Sequence, residues 1–302
     1  MTAKPDLYTN ITNQIIAAIE DGASGDQFVC PWHHSGSPVM RPTSAAGRRY
    51  SGINRLVLWA VAERYQYGSG TWGTFQQWKD HGGQVRKGEK GAHVVLWKRA
   101  DTATDCQVDS EATGKVRVFA RTFCVFNQDQ VDGIDPETIK EPFSPDTTQA
   151  QALEYLKAFG VLVNFGLYDA YYRNDIDEIF SPKPELFTDT GAMLATISHE
   201  IIHETGHKTR EDRASLRDYH KDRSARALEE LIAELGASYL MADLGLSFGP
   251  RLDHAQYIAS WLGHLKNDPK AIFTAARFAQ AAADRVHSTC KTSFGEGLAQ
   301  AA

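Results

Sequence analysis

GAMLATISHEIIHETGH, residues 191–207, is an apolar run that carries histidines at 199, 203 and 207. On an α-helix, positions four apart lie ~40° apart around the axis and ~6 Å apart along it. His199 and His203 can therefore aim both imidazoles at one ion. Glu200 lies ~100° around from His199, where it can reach a water on that ion without being a ligand. This is the geometry behind His-Glu-x-x-His, and the apolar helix supplies a rigid, buried support for it. His207 lies ~12 Å along the axis from His199, too far for a shared ion while the helix continues. A third histidine ligand in the extended version of the motif falls at 209, which is Thr209. His207 is therefore expected at the helix end or behind the ligands, and the third ligand must come from elsewhere.

The following helical stretch, SARALEELIAELGASYLMADLG (224–245), offers Glu229, Glu230 and Glu234. Its apolar stripe runs through Leu228, Leu231, Ile232, Leu235 and Tyr239. Glu229 falls at the edge of that stripe beside Ala233 and Gly236, small residues that let helices approach closely. Glu229 is the expected third ligand. Glu230 is the alternative, placed with Glu234 on the opposite, polar side. Two neutral histidines and a carboxylate suit tetrahedral Zn²⁺ with one open position, where water becomes acidic near pH ~7. Glu200 then takes a proton as general base and returns it to a leaving amine. The oxygen-rich side also suits Mn²⁺.

The 302 residues have room for two domains, and 42% apolar with 23% charged content is that of a globular chain. MTAKPDLYTN holds no apolar leader stretch, and no run approaches the ~18 apolar residues of a membrane span. Cys30, Cys106, Cys124 and Cys290 are scattered without a Cys-x-x-Cys pair, which favours a reducing cytoplasm. The net charge of −6 is uneven. Residues 1–135 carry +1 and the remainder −7, while 41–99 alone has 11 basic and 3 acidic side chains. A basic block on an acidic chain is a footprint for a polyanion.

The spacing predicts an α+β protein of two domains: a small α+β domain over 1–130, a linker over 131–150, and a mainly helical domain over 151–302. Helices are expected at 11–20, 52–65, 74–81, 149–160, 190–207, 224–244, 253–267 and 269–288. Strands are expected at 93–99 and 115–127, with a β-like segment at 171–187. In the basic block, cations and rings interleave: GRRYSGINRLVLW (47–59) and TWGTFQQWKDHGGQVRKGEKG (71–91). Arg48, Arg49, Tyr50, Trp72, Trp78, Lys79, Arg86, Lys87 and Lys90 are the candidate contacts. Rings for stacking and a basic track suit single-stranded nucleic acid. Trp59, Phe75 and Trp97 sit in apolar patterns and read as core.

Taken in order, ITNQIIAAIEDG, Pro31-Trp32, GRRYSGIN, the 71–91 stretch and RVFARTFCVFN resemble the N-terminal domain of the ArdC antirestriction family, a domain also found in certain plasmid primases. YYRNDIDEIFSPKPELF, HEIIHETGHKTR, LEELIAELGASYL and the 254–284 stretch resemble that family's metallopeptidase half. The resemblance implies a zincin-like fold and a plasmid-borne protein acting in conjugation. It implies sequence-independent binding of single-stranded DNA and protection of incoming DNA from host restriction, chiefly by a type I restriction enzyme. It puts metal on His199 and His203 and the base on Glu200, and takes the third ligand from the Glu-Glu-Leu-Ile-Ala-Glu run without choosing between its glutamates. Glu204-Thr205 departs from the Trp-Thr of many relatives beside the site. Two other readings stay open: a general metallopeptidase with an N-terminal partner-binding domain, and a DNA-coating protein whose metal site is not catalytically required.

Overall fold

The computed structural model describes residues 6–23, 30–33, 41–99, 118–134, 148–160, 162–248 and 255–294. Helix α1 (Leu7–Ala23) buries Ile11, Ile15, Ile16 and Ile19, a stripe at the helical repeat. β1 (Thr43–Ser44) leads to α2 (Ile53–Tyr65), which ends where Gln66 turns left-handed. β2 (Thr71–Gly73) precedes α3 (Phe75–Asp80), whose start is fixed by a reciprocal Thr74–Gln77 cap. β3 (Gln84–Val85), β4 (Ala92–Arg99), β5 (Val118–Asn127) and β6 (Val131–Asp132) complete the front lobe. Its main sheet has the order β1-β2-β5-β4, with β4 and β5 a long antiparallel pair. Val131 and Asp132, placed in the linker by the sequence, pair as β6 with β3. Residues 135–147 of the expected 131–150 linker lie outside the described residues, and its last two positions already belong to the next helix.

The second lobe opens with α4 (Gln149–Lys157). The single β-like segment expected at 171–187 resolves into two strands, β8 (Tyr171–Arg173) and β9 (Glu178–Pro182), and a short 3-10 turn. β7 (Val163–Leu167) has no counterpart among the strands expected from sequence. Gly166 interrupts it at φ 140, and its pairing with β9 shifts register between Phe165 and Leu167. β7 runs parallel to β9 and β8 antiparallel, leaving β8 at the sheet edge. Then come α5 (Thr190–Thr205), α6 (Ala214–Arg217), α7 (Arg223–Asp243), α8 (Ala255–Asn267) and α9 (Ala271–Phe294). Among the described residues, no helix is long and apolar enough to cross a membrane.

The lobes share their largest core. Side chains of α1 and α2 pack into one cluster with those of α4, α5, α7, α8 and α9. Thr12 donates to the Pro269 carbonyl at 2.6 Å, and Tyr239 donates to the Gly52 carbonyl at 2.9 Å. Helices α5 and α7 meet closely at Gly236, where a Cβ would come within 2.8 Å of Ile202. Gly236→Val is therefore expected to destabilise the fold by about 1–3 kcal/mol through overpacking, read as a lower denaturant midpoint. An unchanged midpoint would show that the helices have room there.

Candidate metal centre

Asp189 caps α5 by accepting from the Ala192 amide, and the helix then runs buried from Met193 to Thr205. This brings His199 Nε2 and His203 Nε2 to 3.2 Å from each other. Helix α7 delivers Glu230, whose Oε2 lies 3.4 Å from His199 Nε2 and whose Oε1 lies 3.9 Å from His203 Nε2. Ligand atoms of these three side chains all fall within 4.8 Å of one another. Bonds of about 2.0–2.1 Å in a tetrahedron place ligand atoms roughly 3.3 Å apart, so the set fits a divalent ion.

The expected third ligand needs correcting. Glu229 turns away from the shared point and pairs with Arg213, whose Nη2 lies 2.6 Å from Oε1, while Ser215 donates to Oε2 at 2.6 Å. Its Oε1 faces the back of His203, 3.3 Å from Nδ1. The carboxylate brought to both Nε2 atoms is Glu230, the alternative. Nor is that side of α7 polar, since Glu229, Glu230 and Glu234 are all buried. Amphipathicity misleads at this helix because α7 is covered on nearly every face from Ala227 to Asp243.

Further carboxylates stand behind the two candidate histidine ligands. Each histidine turns Nε2 inward and shows Nδ1 to a carboxylate, Glu229 for His203 and Glu234 at 3.6 Å for His199. Such outer carboxylates orient a ligating imidazole and raise its basicity. Burial alone would raise the Glu229 carboxyl, but the Arg213 charge outweighs it and holds the group at about 2. Burial opposes ionisation of Glu230 too, yet hydrogen bonding from His199, the charge of His203 and the Tyr219 hydroxyl hold it at about 2. Arg213 also donates to the Ile202 carbonyl at 2.6 Å, tying the end of α5 to α7.

Glu200 lines the same cleft of about 640 Å³ as His199, His203 and Glu230. Tyr171, Tyr172 and Arg173 from edge strand β8 form one wall, with Tyr219, His220 and Arg226 on the other side. His207 lies beyond the helix end, bonded to Thr209 at 2.9 Å and outside the ligand set. Glu204 is buried beside Arg210 at 3.2 Å, and burial pushes its carboxyl up to about 7.

The front lobe sorts the candidate nucleic-acid contacts. Arg48, Lys79, Arg86, Lys87 and Lys90 are exposed. Arg86 is already paired with Glu89 at 3.0 Å and Asp132 at 3.2 Å. Arg49 and Tyr50 are partly covered, and burial pushes the Tyr50 hydroxyl up to about 12. Trp72 and Trp78 are 1% and 0% exposed, which corrects their placement as stacking rings. Trp72 packs with Leu58, Val94 and Val125. Trp78 packs with Ala45, Val85 and Val131 and donates to the Phe126 carbonyl at 3.0 Å. Trp59 is core as expected, but Phe75 and Trp97, also read as core, are 50% and 44% exposed. Phe75 borders a shallow depression with Arg86, Lys87 and Phe126. Spacing shows which rings neighbour cations but not which side of α3 the sheet covers.

A helix-borne His-Glu-x-x-His, a glutamate from a second helix and a flanking edge strand define a zincin-like metal site on an α+β protein. Residues 150–278 match the family model of zincin-like metallopeptidases, and residues 5–126 match that of the N-terminal domain of anti-restriction factor ArdC. The chain is 36% identical to the metal-free antirestriction ArdC protein from R388 plasmid, covering 95% of this chain and 99% of that one with a TM-score of 0.78. Against the Mn(II)-bound form of that protein the values are 35%, 96%, 100% and 0.77. It is 42% identical over 288 residues to the protein y4eC of Sinorhizobium fredii, covering 94% of this chain and 92% of the relative. A DNA primase TraC of Escherichia coli is 32% identical over 306 residues, and the chain spans 27% of its length. The chain belongs to the ArdC antirestriction family.

Proposed function

We propose that this protein binds single-stranded DNA without sequence preference through its front lobe and protects incoming conjugative DNA from host type I restriction. Its second lobe is proposed to be a Zn²⁺-dependent metallopeptidase site that also accepts Mn²⁺. The observation that carries the first part is Arg86 and Lys87 beside the exposed Phe75, with exposed Lys79 on the same helix as that ring, on the lobe that matches the ArdC N-terminal domain. Cations beside an exposed ring suit a flexible strand, which offers phosphates and unpaired bases together. Phe75, rather than Trp72 or Trp78, is the ring placed to stack.

In the second lobe, His199, His203 and Glu230 would hold the ion. A divalent cation there supplies Lewis acidity to a carbonyl or a water. Glu200, next to His199 and lining the same cleft, is placed to take a proton and to pass it to the leaving amine. The edge of β8 offers main-chain groups to an extended peptide, which would lie across the cleft as an added strand.

Titrating a labelled oligothymidylate at several salt concentrations tests the DNA-binding part. Wild type is expected to weaken steeply with salt. The combined R48Q, K79Q, R86Q and K87Q variant should bind more weakly, with a slope shallower by roughly 0.7 for each phosphate it no longer neutralises. Trp78→Ala should instead cost about 3–5 kcal/mol of stability and leave the salt slope of the folded fraction unchanged. Salt-independent binding by wild type would end the DNA reading. A restriction-protection assay with Glu200→Ala then separates protection that needs the second lobe from protection by coating alone.

A further inference from the structure

We infer that His33, carried by the front lobe, is a positioning residue of the metal centre in the second lobe. It acts through Glu234 on His199, so the ion site belongs to both lobes. The inference rests on the reading that His199, His203 and Glu230 hold a divalent ion.

The Cys30 amide donates to His33 Nδ1 at 3.1 Å. A neutral ring that accepts at Nδ1 carries its proton on Nε2. That Nε2–H points at Glu234 Oε1, 2.6 Å away, with both side chains fully buried. The Trp32 indole donates to the same oxygen at 3.4 Å. Phe248 closes the other side of the His33 ring, with centroids 5.4 Å apart. Two donors from the front lobe thus claim Oε1. The other oxygen, Oε2, is the one that faces His199 Nδ1 at 3.6 Å. That separation is longer than a hydrogen bond, but it places Glu234 to take an Nδ1–H from His199 on ion binding, which would leave the Nε2 lone pair for the ion beside His203 and Glu230.

His203 has its own outer carboxylate, Glu229, steadied by Arg213 and Ser215 from the short segment between α5 and α7. For His199 the equivalent steadying groups, Trp32 and His33, come from some 200 residues earlier in the chain. They lie inside the segment that matches the ArdC N-terminal domain, whereas all three candidate ligands lie inside the zincin-like segment. The same contact inserts Trp32 between the lobes, its ring 6.5 Å from that of Trp261. Displacing the front lobe would therefore loosen His199, and an ion bound at His199 would favour the docked arrangement.

The test measures Zn²⁺ and Mn²⁺ affinity of the full chain by chelator competition, beside the melting temperature of the metal-free protein. His33→Phe keeps the ring but removes the donor, and should weaken both ions about 10–100-fold, as removal of a group behind a metal ligand does. His33→Gln presents an amide N–H in a similar place and should recover most of that affinity. Glu234→Gln removes the carboxylate from the same path and should match His33→Phe, which keeps the test decisive if one variant folds poorly. The visible spectrum of the Co²⁺-loaded protein should shift in His33→Phe and return toward wild type in His33→Gln. A purely structural His33 would lower the metal-free melting temperature while folded His33→Phe and Glu234→Gln bound both ions as wild type does, and that result overturns the inference. Failure of wild type itself to bind either ion overturns the metal centre as a whole.

Discussion

Asp243→Ala is expected to cost about 3–5 kcal/mol of folding stability, the penalty for stranding a buried partner charge. Arg55 is fully buried on α2, and its Nη2 lies 3.1 Å from Asp243 Oδ1. Arg41 reaches the same oxygen at 3.1 Å. His287 of α9 donates from Nε2 to Oδ2 at 3.2 Å, and its Nδ1 is hydrogen-bonded to the Tyr155 hydroxyl at 2.7 Å. One carboxylate therefore joins front-lobe cations to α4, α7 and α9. Without it the guanidinium of Arg55 keeps, among the described residues, the Tyr239 carbonyl at 3.2 Å and the faces of Trp59 and Tyr239. Guanidinium denaturation should show a lower midpoint in Asp243→Ala. An unchanged midpoint would mean that water reaches Arg55 and the cluster carries little.

The same carboxylate sets an acid limit. Burial would raise the Asp243 carboxyl, but Arg55, His287 and Arg41 together hold it well below the usual carboxylate range. A group whose pKa is depressed by folding contributes stability above its unfolded value, about 3.9, and loses it as pH falls toward its folded value. Wild type should therefore lose stability below about pH 4. Asp243→Asn should show a flatter dependence in that window, measured by denaturant midpoints across acidic buffers.

Glu230→Gln and Glu229→Gln should fail in opposite ways. Glu230→Gln removes a candidate ligand that faces two imidazoles and the Tyr219 hydroxyl. It should lose the stabilisation that Zn²⁺ or Mn²⁺ gives wild type, which is about 2.7 kcal/mol at one hundred times Kd. The metal-free protein should lose less stability than in Glu229→Gln, because Glu230 faces two imidazoles and a hydroxyl rather than a fully buried guanidinium. Glu229→Gln leaves Arg213 buried without its full counter-charge, so the metal-free protein itself should fall by several kcal/mol, on the order of a broken buried pair. Its ion affinity should drop only about 10–100-fold, as for an outer partner. Differential scanning calorimetry with and without ion gives both readings. Metal stabilisation retained in Glu230→Gln and abolished in Glu229→Gln would reverse the assignment.

The local part of the site was legible because it depends on one helix. The 3.6-residue repeat that faces His199 and His203 together is written between 191 and 207, and α5 forms there. The choice between adjacent glutamates was not legible. Periodicity separates a covered face from an open one, and α7 has almost no open face. The front-lobe rings follow the same rule. Trp72 and Trp78 neighbour cations in sequence, yet Leu58, Val94 and Val125 close over the first and Ala45, Val85 and Val131 over the second, while Phe75 and Trp97 are left outside.

By itself, then, the sequence determined the elements whose signals are short-ranged: the amphipathic stripe of α1, the short helix near 74–81, the two-histidine helix and the basic block. Tertiary structure alone decided which glutamate meets the imidazoles, which rings reach solvent, and that the lobes share a core. It also decided that His33 reaches Glu234, 201 positions away. Those outcomes depend on how helices dock. Docking is settled by the sum of apolar burial and the pairing of buried charges over the whole chain, and no local window of residues contains that sum.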